Sequence, residues 1–80
     1  MPGAYVLYGT SACHLCELAL GLVLDYGHSH SPIALEEVDI ADDDRLFERY
    51  GMTIPVLRAP SGEELNWPFD AAQLQCFLEP

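Results

Sequence analysis

The chain has no lysine, and its only arginines are Arg45, Arg49 and Arg58. Against 13 acidic residues this leaves a net charge of -10. Nucleic acid needs a basic face opposite its phosphates, so this balance argues against it as a partner. An anionic membrane surface is disfavoured for the same reason. The charge suits a soluble, self-repelling domain and would steer basic partner proteins toward it. Cysteine is also scarce. With only Cys13, Cys16 and Cys76, a disulfide-dense scaffold is ruled out, because a single internal bridge is the most the chain can form. Apolar runs are short, and none approaches the ~20 residues of a membrane span. No basic stretch followed by an apolar core precedes the first expected strand, as a secretory leader would require. A reducing cytoplasm is the expected location.

Eighty residues make one domain, 1–80, with one small core. Half of them are hydrophobic, enough to fold without extra staples. No repeat, linker or low-complexity tract interrupts the chain. Ala4-Tyr5-Val6-Leu7-Tyr8 is a continuous apolar run, which suits a strand covered on both faces. Residues 13–27 form a helix whose polar stripe is His14, Glu17, Gly21, Asp25 and His28. Its remaining side chains are apolar, so most of its sides are expected to be covered. Gly27 ends it, and His28-Ser29-His30-Ser31-Pro32 is a surface loop. Residues 34–40 form a second strand. Residues 42–50 form a short helix with Asp42, Asp43 and Asp44 at its start and Arg45 and Arg49 following, in keeping with the helix dipole. Gly51 stops it, and Leu46, Phe47 and Tyr50 are its buried side. Residues 55–58 and 63–66 read as a hairpin around Pro60-Ser61-Gly62. A last helix starts at Asp70 as N-cap, with Gln73 three residues on as in a capping box and Phe69 and Leu74 at the staple positions.

Cys13-His14-Leu15-Cys16 carries the chemistry. Two cysteines at the start of a helix that follows a strand and a short loop have the layout of a thioredoxin-like redox site. A helix N-terminus offers partial positive charge and free N–H groups, and both stabilise a thiolate, the nucleophile of disulfide exchange. The spacing puts Cys16 one turn below Cys13 on nearly the same face, within reach of a disulfide. Cys13, at the exposed helix start, is the expected nucleophile. Cys16, one turn in, is the expected resolving thiol. His14 lies on the wet stripe and is an exposed contributor rather than a proton shuttle. A zinc site is the main rival. It would have to draw on His14, His28, His30 or Cys76, and His28 lies roughly 18 Å along the helix from Cys16 at about 1.5 Å per residue. No metal is therefore expected. Cys76 is expected to be semi-buried beside Leu74, Phe77 and Leu78.

Thr53-Ile54-Pro55-Val56-Leu57 places a proline at the start of a β-branched run, where it costs no ladder hydrogen bond. An X-Pro bond can also be cis. With these segments in this order, residues 4 to 78 resemble the glutaredoxin branch of the thioredoxin superfamily. The stretches LYGTSACHLCELA, YGMTIPVLR and ELNWPFD are similar to a set of small, mostly bacterial glutaredoxin-like proteins. The resemblance implies a thioredoxin-like α/β fold, a four-stranded mixed sheet with three helices in the order βαβαββα. It implies a cis Ile54-Pro55 bond beside the cysteines, with the Ile54 backbone pairing an extended substrate or glutathione. Thr53, Ile54, Pro55 and Asp70 then form the substrate-binding set.

Two departures bear on glutathione. Asn66-Trp67-Pro68-Phe69 replaces the small residues that usually precede the aspartate equivalent to Asp70, and no basic residue precedes Cys13. Glutathione is thus a doubtful reductant, and a helix cap is the first role of Asp70. The expected function is dithiol–disulfide exchange through Cys13 and Cys16 on a protein or small-molecule disulfide, by a monomer without a permanently bound cofactor. Its electron donor is glutathione or a thioredoxin-reductase-type protein. The alternative is a non-catalytic redox-sensing module that uses the same disulfide as a switch.

Overall fold

β1 (Tyr5–Gly9) is apolar at every position before its final glycine because both of its faces are covered. A computed structural model of the chain describes residues 4–30 and 32–79. After β1 come α1 (His14–Ser29), β2 (Leu35–Asp39), a 3-10 turn (Ile40–Asp42), α2 (Asp44–Tyr50), β3 (Val56–Arg58), β4 (Glu64–Asn66) and α3 (Ala71–Leu78). The sheet order is β2-β1-β3-β4. β1 runs parallel to β2 and antiparallel to β3, and β4 is antiparallel to β3. This is the four-stranded mixed sheet with three helices that the resemblance implies.

Strand side chains alternate between faces with a period of two, and the two core clusters follow that alternation. Leu7, Leu57, Ala19, Val23, Phe69 and Leu74 are buried together where α1 and α3 cover one face. Tyr8, Val56, Ile40 and Tyr50 are buried together where α2 covers the other. On this second face the Tyr8 and Tyr50 rings stack at 4.4 Å between centroids. The Tyr50 hydroxyl donates to Glu64 on β4. Arg49 lies over the Tyr50 ring and 4.0 Å from the same carboxylate. Arg58 faces this side too, and the Tyr8 hydroxyl holds its guanidinium above the usual range.

Several boundaries and exposures differ from the sequence expectation. α1 continues through Gly27 to Ser29, because the His30 N–H caps the Tyr26 carbonyl at 2.9 Å. His28 and Ser29 are therefore helical rather than loop, and Ser31 lies outside the described residues. Leu15, Leu18 and Leu24 are exposed. An outer-layer helix always turns one side to water, and its count of apolar residues overstated the cover. α2 begins at Asp44, after the 3-10 turn. Leu46 and Tyr50, four residues apart, take its inner side, which turns Phe47 outward at 57% exposure. Cys76 is exposed, not semi-buried. Leu74, Phe77 and Leu78 take the inner positions at helical spacing, and Cys76 falls between them on the opposite side.

The hairpin and the last helix follow their local signals. Gly62 has φ 99°, a left-handed conformation that glycine adopts without steric cost. Asp70 and Gln73 form the reciprocal capping box, Asp70 Oδ1 accepting from the Gln73 N–H at 2.8 Å and Gln73 Oε1 from the Asp70 N–H at 3.0 Å.

Burial, and then the hydrogen bond to Glu64, push the Tyr50 hydroxyl from its ordinary 10.0 up to about 12. The folded state thus favours protonated Tyr50. That stabilisation is fully present below pH 10 and is lost as the pH rises toward 12, where the unfolded chain ionises first. The melting temperature of the wild-type chain should fall across this interval, and the fall should be shallower in Tyr50→Phe. An equal alkaline slope in both would show that Tyr50 does not contribute.

Candidate functional site

Cys13 is the N-cap of α1. Its backbone is extended, with φ -116° and ψ 104°, and its Sγ accepts a hydrogen bond from the Cys16 N–H at 3.1 Å. Sulfur here takes the place of the hydroxyl or carboxylate oxygen usual at this position. Cys13 is half-buried and Cys16 is buried one turn on. Their Cα atoms are 5.2 Å apart and their sulfurs lie at disulfide distance. A hydrogen bond to sulfur at a helix start favours the thiolate once the bridge is opened.

The sheet register brings the other segments to this end of the molecule. Tyr8 pairs with Val56, and Val56 with Asn66. One step further, Gly9 lies opposite Pro55, and the Trp67 N–H donates to the Pro55 carbonyl at 3.2 Å. By the same alternation that buries Leu7 and Leu57, Gly9 and Pro55 face the α1 side. Pro55 is fully buried, and the Ile54–Pro55 and Trp67–Pro68 bonds are cis. Thr53 is exposed, and its hydroxyl and N–H both donate to the Tyr50 carbonyl. The Ile54 N–H donates to that carbonyl as well, at 3.0 Å. Of the two Ile54 backbone groups expected to pair a substrate, the carbonyl is the one free of this bond. Asp70 follows β4 at the same end, with Oδ1 tied into its cap.

Beside the buried sulfur lies a cleft of about 330 Å³, lined among others by Gly9, Ser11, Cys16, Glu17, Glu37 and Asp39. Its charged walls are all carboxylates. His14 is exposed on the outer side of α1, 3.8 Å from Glu17. Among the described residues, no three His, Cys, Asp or Glu side chains converge as metal ligands. No helix among them is long and apolar enough to cross a membrane.

A family model, Glutaredoxin-like domain (DUF836), matches residues 5–79. The chain belongs to this glutaredoxin-like family. The crystal structure of protein XcR50 from X. campestris is 42% identical and superposes with a TM-score of 0.81, over 95% of this chain and 96% of that one. The solution structure of XcR50 gives 42% identity and 0.80, over 96% and 94%. Protein Ne2328 from Nitrosomonas europaea is 26% identical with a TM-score of 0.77, over 96% and 92%. No curated protein matches the chain. The domain therefore has a thioredoxin-like fold, and its cysteine pair fits redox function.

Sequence reasoning passed over Gly9 as one more neutral residue before Cys13. An isolated glycine closing a strand is a signal of close approach by another group, and that signal was present.

If the geometry governs reactivity, Cys13 in the reduced glutaredoxin-like domain should react with iodoacetamide well before Cys16 at neutral pH, because Cys16 is buried. Peptide mapping after brief labelling measures this, with exposed Cys76 as an internal reference. Faster labelling of Cys16 would reverse the two roles.

Proposed function

We propose that this glutaredoxin-like domain is a dithiol–disulfide oxidoreductase with Cys13 as nucleophile and Cys16 as resolving thiol. One observation carries the reading: Cys13 sulfur caps α1 and accepts the Cys16 N–H, while Cys16 is buried directly behind it. In the reduced domain, Cys13 thiolate attacks one sulfur of a substrate disulfide. A bond from Cys13 to that sulfur forms, and the other substrate sulfur leaves as a thiolate. Cys16 gives up its proton and attacks Cys13 Sγ, and the second substrate sulfur leaves. Two electrons have then passed to the substrate, its two thiolates take up the Cys16 proton and one from water, and the Cys13–Cys16 bridge remains. A thiol donor reverses the bridge in the same two steps.

The substrate is a disulfide of a protein or small molecule, held in extended form at the Ile54 carbonyl beside Thr53 and Pro55. Asp70 is a further contact through the α3 start that it caps. The domain acts as a monomer in the cytoplasm, where thiol donors are abundant. The cycle needs no metal or organic cofactor. The donor is glutathione or a thioredoxin-reductase-type protein, and the charge at the site favours the second. Glu17, Glu37 and Asp39 line the cleft at Cys16, and glutathione carries net negative charge at neutral pH.

Two experiments test this reading. Cys16→Ser should accumulate a mixed disulfide with a small disulfide substrate, and Cys13→Ser should form none at residue 16. A mixed disulfide trapped at Cys16 in the Cys13→Ser variant would refute the assignment. In a glutathione-coupled assay, turnover should be weak at low ionic strength and should improve as salt screens the repulsion, an effect on association within the roughly 10- to 1,000-fold range of electrostatic steering. Robust turnover at low salt would show that local contacts override the charge.

A further inference from the structure

Gly9 closes β1 on the α1 side, directly beneath the first turn of α1. A Cβ at this position would lie 2.9 Å from Cys16 Sγ and 3.1 Å from Cys16 Cβ. The first distance is shorter than real side chains tolerate, so the Cys16 sulfur occupies the space that any other residue at position 9 would fill. Among the described glycines, Gly9 alone has a cysteine as the group that a Cβ would meet. Gly21, by contrast, faces open space.

The two contacts respond differently to the redox state. Cys16 Cβ is fixed by the helix backbone, so its crowding would be felt by the oxidised and reduced domains alike. The sulfur is different. In the reduced domain Cys16 is a single short side chain whose χ1 can move to another staggered well, relieving the overlap. In the oxidised domain the sulfur is bonded to Cys13 and has no such freedom. A methyl group at position 9 therefore penalises the disulfide more than the dithiol.

We propose that Gly9 is a positioning residue for the Cys16 sulfur, and that its missing side chain sets the balance between the disulfide and dithiol forms of the pair. The inference rests on the redox reading above and adds to it a residue outside the proposed substrate-binding set. It also accounts for a glycine at the end of a central strand, where the residue otherwise weakens pairing.

The test is the redox equilibrium of the full chain with reduced and oxidised dithiothreitol, an uncharged couple. Reduction of the bridge forms two thiols and closes one disulfide in the reagent, so two electrons and two protons are exchanged. Acid quench and alkylation give the fraction reduced, with Cys76 labelled throughout. Gly9→Ala should shift the equilibrium toward the dithiol by tenfold or more, which is about 30 mV for a two-electron couple. Gly21→Ala should leave it unchanged. Melting temperatures of each variant in both redox states provide the second measurement. In Gly9→Ala the oxidised form should lose more than the reduced form. Equal losses in the two states, with an unshifted equilibrium, would make Gly9 a merely structural residue and overturn the inference. Should Gly9→Ala fail to fold when oxidised yet fold when reduced, the same inequality is met in its extreme form. Failure to fold in both states would count against it. If the wild-type bridge did not equilibrate at all, the redox reading would fall first, and the two failures are thereby distinguished.

Discussion

The alternation of side chains along β1 is the constraint on which the rest of the structure depends. β1 lies inside the sheet, so each of its side chains commits to one of two cores. Leu7 joins the cluster beneath α1 and α3, and Tyr8 joins the cluster beneath α2. Because Gly9 shares the parity of Leu7, the strand ends with an open patch of backbone under the start of α1. The buried cysteine fits there. A slip of one residue in β1 would turn Tyr8 toward α1 and bring a ring into the space of the Cys16 sulfur. β1 thus fixes both cores and the space in which the Cys16 sulfur sits.

The chemistry follows from what stands at the helix start. A sulfur at the N-cap position accepts one of the N–H groups that the first turn leaves without a helical partner. That N–H belongs to Cys16, so the group that favours negative charge on Cys13 is part of the residue that would attack it in the proposed exchange. The surroundings add a bias of sign. Carboxylates line the cleft beside Cys16, and two of the three arginines are engaged at the tyrosine pair on the opposite face of the sheet. An anionic thiol approaching the cysteines meets local repulsion as well as the overall charge of -10.

Much of this was legible in the sequence wherever the cause is local. The Asp70 and Gln73 capping box, the Gly62 turn and the two cysteines at a helix start each depend on residues a few positions apart, and the structure forms all three. What was not legible depends on three-dimensional packing or on hydrogen-bond choices that no residue pattern states. Gly27 has the look of a helix end, yet His30 supplies a cap three residues later. Cys76 has apolar neighbours in sequence, but its helix turns it outward. Phe47 loses its buried place because Leu46 and Tyr50, four residues apart, take the inner side of α2. The role of Gly9 needs the packing distance to Cys16, which no spacing rule contains. At Ile54 the N–H is already bonded to Tyr50, a contact that a motif of three residues cannot reveal.

The most direct measurement of the central claim is a time course of the reduced wild-type chain mixed with a neutral small disulfide, quenched in acid and followed by intact-mass and peptide analysis. Exchange through the pair predicts a transient adduct on Cys13 that decays, without added reagent, into the Cys13–Cys16 bridge and two equivalents of released thiol. Exposed Cys76, which has no neighbouring thiol, keeps any adduct it forms and serves as the control; an adduct on Cys16, or no reaction of the pair while Cys76 reacts, would contradict it.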